Sequence, residues 1–381
     1  MEDQIEFLQK LIQTRSLSGE EKSVGKLIKG KMNQQNYDLV KTDQLGNVIG
    51  VIGDGTPQLM FEAHMDTVGA GNESNWELDP FSGEIRDGKV YGRGSVDMKG
   101  PLSSMIFGAA RAGDSIKKYR GSLAVACVVH EETMEGAAIE GLIDREGQPD
   151  MVVLGEPSGL DVCIGHRGRG VVDLEVAGKT AHASMPQLGK NAALDLIDSI
   201  NSIRDKELAT DPELGDETMA LVNIFCKPGG GPVVPDEATA RLDFRIGRQT
   251  TKKGLIRYVQ EAVDELTDVT GKAEIPEKTL QCYTGKDLTY QYFFPAWYSR
   301  DEEILSKVRK ATNFLPDVEV RTWDFSTDGI YTAGKAKIPT LGFGPGDETQ
   351  AHQPNERISI EELQLATEGY ERVIDEFLGY G

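Results

Sequence analysis

The stretch "LMFEAHMDTVGAG", Leu59 to Gly71, decides how the rest of the chain is read. Its apolar start suits a strand buried on both faces, as in a parallel sheet covered by helices. It ends in His64, with Asp66 two positions on. A histidine and a carboxylate there could begin a metal site or simply close a strand. A metal needs about four ligands, so the others must come from elsewhere in the chain.

Ligands of an open α/β sheet bind beyond the carboxyl ends of its strands. Further apolar runs centre on 47–52, 123–129 and 151–154, and a last one is "IPTLGFG" at 338–344. The 123–129 run is followed by His130, Glu131 and Glu132, the 151–154 run by Glu156, and the last run by "PGDETQAHQPNE" with His352. In "YGRGSVDMKGPLSSM", Asp97 stands just ahead of an expected helix with Pro101 in its first turn. Singly, each residue also suits a hydrogen-bonded histidine, a turn or a helix cap. Together, at one end of one sheet, they read as a metal site. Carboxylates and imidazoles without thiolate suit zinc, with cobalt or manganese possible. So many candidates suit two divalent ions sharing a carboxylate and a water better than one tetrahedral ion.

At 381 residues the chain exceeds what one core usually organises, which predicts two domains. A net charge of −21 repels phosphate backbones and anionic lipid, arguing against nucleic acid and membrane partners. The start "MEDQIEFLQK" is not leader-like, and no apolar run approaches the roughly 18 residues of a membrane span. Cys127, Cys163, Cys226 and Cys282 are scattered without a CxxC pair, as reduced thiols of a cytoplasmic protein would be.

After about Gly170 the pattern alternates. "GVVDLEVAGK", "MALVNIFCK", "EATARLDFRIG" and "GKAEIPEKTLQ" read as half-exposed antiparallel strands, with helices expected at "NAALDLIDSINSI" and "TKKGLIRYVQEAVDEL". That order is a split βαβ, ferredoxin-like unit. The expected fold is therefore α/β, a mainly parallel sheet sandwiched by helices, with an inserted α+β ferredoxin-like lid. The catalytic domain is placed at 1–169 and 285–381 and the lid at 170–284. Near the start, Ser18 with Glu21 forms an S-x-x-E pattern expected to cap a helix.

The motifs "AHMDTV", "W..DPF", "YGRGSVDMKG", "HEE", "GEP", "GKTAHAS", "STDG" and "AHQPNE" run in order along nearly the whole chain. In this the chain resembles the cocatalytic zinc metallopeptidases and deacylases, the family of acetylornithine deacetylase, succinyl-diaminopimelate desuccinylase, aminoacylase and carboxypeptidase G. "FSTDGIYTAGKAKIPTLGFGPGDETQAHQPNE" and "YFFPAW" resemble its YgeY-type branch.

The resemblance implies Asp97 as the bridging carboxylate, His64 and Glu156 as further ligands of one ion, and Glu132 and His352 as those of the other. It implies Glu131 as general base, and Asp66 as the group orienting His64 through its other ring nitrogen. It also implies that His182 donates to the oxyanion, often across a lid-mediated homodimer; a helix-capping role for His182 is the alternative. Arg167, Asn223 and Arg245, with Ser326, Thr327 and Gly344, match substrate-binding positions, although Arg245 equally suits an ordinary exposed arginine.

Some features stay outside this pattern. "HEETM" is not HExxH, because Met134 takes the second histidine's place, and "GKT" at 178–180 lacks the glycines of a phosphate loop. His130 is either a neighbour that shifts the pKa of Glu131 or without a role, "YFFPAWYSR" either pocket wall or junction packing, and Cys163 a structural thiol.

The function expected is a metal-dependent hydrolase cleaving the amide of an N-acyl amino acid or small peptide-like substrate. A dipeptidase or carbamoyl amino acid hydrolase on the same site, or a catalytically silent metal-dependent binding protein, are the rivals.

Overall fold

The computed structural model of the chain describes residues 2–379. Strands Gln58–His64, Ser122–Val128, Met151–Leu154 and Thr340–Gly342 are buried along nearly their whole length. They pair in parallel, with His64 opposite Val128, Glu62 opposite Leu154, and Gly342 opposite Leu154. All four therefore end on the same side, and the polar segments that follow them emerge together. Helices Gly100–Arg111 and Ile360–Leu378 pack on each other, the Ser104 hydroxyl of the first donating to the Leu363 carbonyl of the second.

The fold is α/β, as read from the sequence, with antiparallel strands on both sides of the parallel set; at one side Val162–His166 runs antiparallel to Thr340–Gly342. The 47–52 run forms strand Val48–Gly53, but it lies antiparallel to Ser122–Val128. The reversal comes from a hairpin with Leu39–Thr42, whose turn is held by Asp43 accepting from the amides of Leu45, Gly46 and Asn47. Leu39–Thr42 is only partly covered and lacks an apolar run, so periodicity does not reveal it.

The expected helix after "SLSGEE" is present at Lys22–Gln34, but the capping pattern is not used. Its N-cap is Glu21, without a side-chain cap; Ser18 donates instead to Asp66, and Glu21 accepts from Gly19 and His130. Both side chains have stronger partners than the helix amides.

Two compact units are present. One holds the sheet above, with chain up to Gly165, Thr279–Leu288 and the chain from Tyr298 onward. The other comprises His166–Lys278 and Thr289–Trp297. Residues 289–297 cluster with the second unit because Phe293 and Phe294 pair with Gly170 and Arg169.

The second unit has the ferredoxin-like order of elements. Its strands lie side by side as Thr218–Lys227, Glu237–Ile246, Gly168–Ala177 and Thr270–Glu274, each antiparallel to its neighbour. Leu174, Leu242 and Phe244 pack with Leu196 of helix Ala192–Asp205 and Val259 of helix Lys252–Asp264. The strand expected over 271–281 is broken at Pro276 into Thr270–Glu274 and Glu277–Gln281. The strand Thr218–Lys227 differs from expectation as well. It is exposed on both faces rather than one, with Leu221, Val222, Ile224 and Phe225 each more than 40% accessible.

Candidate metal centre

His64 is the last residue of its strand, and its ring is aimed by a short local contact. Nδ1 lies 2.9 Å from the main-chain carbonyl of Asp66 and 3.7 Å from that residue's carboxylate. The orienting acceptor is thus the carbonyl, not the side chain the sequence suggested. A carbonyl accepts only, so Nδ1 carries a proton, and Nε2 is the nitrogen that faces Asp97 and would turn its lone pair to a cation that displaced its proton.

Asp97 lies between the two histidines. Its Oδ1 is 2.9 Å from His64 Nε2, and its Oδ2 is 3.2 Å from His352 Nε2. His352 Nε2 is also 2.9 Å from Glu132 Oε2, while Glu156 Oε1 and Glu131 Oε2 lie 3.8 and 3.9 Å from His64 Nε2. Ligand-capable atoms of His64, Glu131 and Glu156, and of His64, Asp97 and Glu132, each fall within 4.8 Å of one another. The structure thus gathers His64, Asp97, Glu131, Glu132, Glu156 and His352 into one cluster, with Asp66 beside it.

The electrostatics fit cations. Burial raises Glu156 and Glu131 well above the usual carboxylate range; the nearby His64 opposes this, and neighbouring carboxylates add to it. Burial also opposes charge on Asp97, but hydrogen bonds from His352 and His64 outweigh it and hold the group low. Hydrogen bonds to Asp97 and Glu132 push His352 up to about 10. The two imidazoles are thus drawn into balancing a surplus of buried negative charge. The nearby basic side chains are committed elsewhere: Arg93 pairs with Glu356, and Lys99 donates to the carbonyls of Leu11 and Thr14. Two divalent ions would relieve the repulsion without changing the ligand set.

Further buried acidic groups, outside the set that the resemblance implies, lie beside the cluster. Glu62 and Asp328 are both buried, and burial raises Glu62 well above its ordinary value. Asp328 accepts from the Gly136 amide at 2.5 Å. Glu62 interrupts an otherwise apolar run, which is a visible signal; Arg93, Asp328 and Glu356 each sit inside a quoted motif.

Ser326, Thr327 and Gly344 belong to the same unit. Thr327 is buried, its hydroxyl accepting from the Gly329 amide, and Ser326 is half-buried. Gly344 backs onto Glu156: a Cβ there would stand 2.4 Å from the Gly155 carbonyl and 2.5 Å from that of Glu156. Cys163 is a buried free thiol raised by burial, as a structural cysteine should be.

Arg167, His182, Asn223 and Arg245 belong to the other unit. Arg167 donates to the Asp216 carbonyl at 3.0 Å, and Arg245 pairs with Asp243 at 2.9 Å. Asn223 is exposed where the pairing of its strand is irregular. His182 caps no helix there, since helix Ala192–Asp205 is capped by Asn191. It is exposed, and its Nδ1 accepts from the Ser184 amide at 3.2 Å, with the Ser184 hydroxyl at 2.7 Å. Nε2 therefore carries the proton of the neutral ring.

The profile of peptidase family M20/M25/M40 matches residues 60–376, which takes in the whole cluster. The chain belongs to that family. Among curated proteins, this M20-family chain is 31% identical over 363 residues to the uncharacterised protein YgeY of Escherichia coli (strain K12), covering 93% of this chain and 89% of the relative. It is 25% identical to the succinyl-diaminopimelate desuccinylase of Wolbachia pipientis wMel, covering 98% and 93%. The M20 family metallo-carboxypeptidase Sso-CP2 of Sulfolobus solfataricus shares the fold, with a TM-score of 0.74 at 16% identity, covering 99% of this chain and 100% of that one. The M20-family chain is thus a metallohydrolase. Among its described residues no helix is long and apolar enough to cross a membrane.

Proposed function

We propose that this M20-family enzyme cleaves the amide of an N-acyl amino acid or small peptide-like substrate bearing a free carboxylate. The observation that carries the reading is the placing of Asp97, one oxygen toward each histidine, with the buried Glu131 3.9 Å from His64. His64, Asp97 and Glu156 would hold one ion, and Asp97, Glu132 and His352 the other. An imidazole and carboxylate set suits zinc, or cobalt or manganese. When bound, such a pair supplies Lewis acidity for the scissile carbonyl and lowers the pKa of water.

The chain's own groups do the proton work. Glu131 takes a proton from the attacking water and delivers it to the departing amine. Its carboxylate lies beside the cluster, 3.9 Å from His64 Nε2, within reach of a water there. His182 suits a donor role toward substrate oxygen, since Nε2–H is free to point outward from a ring fixed by Ser184. Arg167, Asn223, Arg245, Ser326 and Thr327 are proposed for the substrate's polar groups.

The exposed edge strand Thr218–Lys227 supports a homodimer in which two such strands continue one sheet. Leu221, Val222, Ile224 and Phe225, with Leu194 and Ile197 of the neighbouring helix, form an apolar surface that pairing would cover.

The test is amine release by zinc- and cobalt-loaded protein across acetyl, succinyl, formyl and carbamoyl amino acids and dipeptides, with a chelated control. A chelator-sensitive amine product from an acyl amino acid supports the reading. Ammonia from carbamoyl substrates, or two amino acids from dipeptides alone, would replace it with the corresponding rival.

A further inference from the structure

The segment "SLSGEE", Ser16 to Glu21, lies outside the family match, which begins at residue 60, and it is not used to cap the helix that follows. Its polar groups are spent on two other loops. Ser16 donates through its hydroxyl to the Met65 carbonyl at 2.9 Å, and its own carbonyl accepts from the Thr67 amide at 2.9 Å. Ser18 donates to Asp66 Oδ2 at 2.6 Å. Gly19, at φ +90°, turns the chain so that Glu21 Oε1 accepts from the Gly19 amide at 2.8 Å and from the His130 amide at 3.2 Å. One short segment thus holds the loop after His64 and the loop that starts at His130.

Asp66 joins the two loops directly. Its Oδ1 accepts from the Glu131 amide at 3.2 Å and its Oδ2 from the Glu132 amide at 3.3 Å. A carboxylate turning about its Cβ–Cγ bond would lose both contacts. The Ser18 hydroxyl, at 2.6 Å, makes a shorter hydrogen bond to this carboxylate than either amide does, and it comes from a separate segment of the chain. His130, at φ +60°, holds a conformation that costs a non-glycine residue energy, and Glu21 fixes its amide.

We propose that Ser18 is a positioning residue for hydrolysis. Its hydroxyl locks the Asp66 carboxylate in the rotamer that presents Glu131 to the reaction and Glu132 to its ion, and Glu21 secures the start of the same loop. The proposal rests on the reading of Glu131 as base and Glu132 as ligand. It differs from a purely structural role, because Ser18 is half-buried and its removal leaves no cavity in the core.

The experiment compares Ser18→Ala, Ser18→Thr and Glu131→Gln in the full chain, on the substrate found by amine release. kcat and KM, zinc affinity by competition with a chromophoric chelator, and melting temperature are read for each. Ser18→Ala is expected to lower kcat by about ten- to a hundredfold at unchanged KM and melting temperature, and to loosen the weaker zinc site about tenfold. Ser18→Thr, which keeps the hydroxyl, should restore both. Kinetics and zinc affinity of Ser18→Ala within about twofold of the parent would overturn the proposal, as would a loss that Ser18→Thr does not recover. Full turnover in Glu131→Gln would overturn the reading beneath it instead, whatever Ser18→Ala shows.

Discussion

The amide of Asp97 donates to the Glu356 carboxylate at 3.0 Å, tying the carboxylate between the two histidines to the segment that carries His352. Glu356 also accepts from the amides of Gly94 and Val96 and pairs with Arg93 at 2.6 Å, all in the buried interior. His352 itself is half exposed and has a positive φ of 63°, so its position depends on how its segment is fixed. Glu356→Gln leaves Arg93 buried without its charge partner and should cost roughly 3 kcal/mol or more of stability. Zinc affinity should fall by about ten- to a hundredfold. Chemical denaturation and chelator competition read the two effects separately, and unchanged zinc affinity would count against this tie.

A tight backbone approach predicts the effect of a single methyl group. At Gly344 a Cβ would strike the carbonyls of Gly155 and Glu156, which are main-chain atoms with little room to move. Gly344→Ala should therefore lose about 1–3 kcal/mol through overpacking. Because the displaced backbone belongs to Glu156, zinc affinity should fall along with the melting temperature. A stable protein with unaltered zinc binding would refute the argument.

The pH dependence of stability carries a sign that can be checked. Burial, and then the nearby Asp66 carboxylate, raise Glu21 from its ordinary 4.5 to about 7. Between those values the folded chain keeps a proton that the unfolded chain has released, so this group's stabilising contribution is complete below about 4.5 and is lost as pH rises through 7. Glu21→Gln cannot titrate. The melting temperature of Glu21→Gln relative to the parent, both chelated, should thus climb between pH 4.5 and 7.5; a difference independent of pH would contradict the shift.

The exposed edge strand predicts an assembly state. If two copies pair along Thr218–Lys227, Val222→Lys with Phe225→Glu should convert a dimer to a folded monomer. Sedimentation velocity on parent and variant decides it, and a parent that sediments as a monomer removes the proposed pairing.

How far the sequence could be read follows from what each feature depends on. His64, Glu131, Glu132, Glu156 and His352 were legible because each follows an apolar run that ends on the same side of the sheet. The antiparallel Val48–Gly53 was not, because an apolar run looks alike in either direction and the turn at Asp43 sets it. Ser18 and Glu21 were misread because S-x-x-E satisfies a helix terminus and a long-range contact equally well. The competing partners, Asp66 and His130, are 48 and 109 residues away. The strand "MALVNIFCK" reads as half-buried, yet of its residues Met219 and Cys226 pack against the core while Leu221, Val222, Ile224 and Phe225 are exposed, because it is the edge strand of its sheet. That His64 is aimed by the carbonyl of Asp66 and not by its carboxylate is a matter of backbone path, which no residue identity encodes.

The most direct measurement of the central claim is anomalous diffraction from crystals of zinc-loaded protein. The account predicts two zinc peaks about 3.5–4 Å apart, with Asp97 bonded to both, His64 and Glu156 on one, and Glu132 and His352 on the other. A single zinc at this cluster, or two zincs without Asp97 between them, would contradict it.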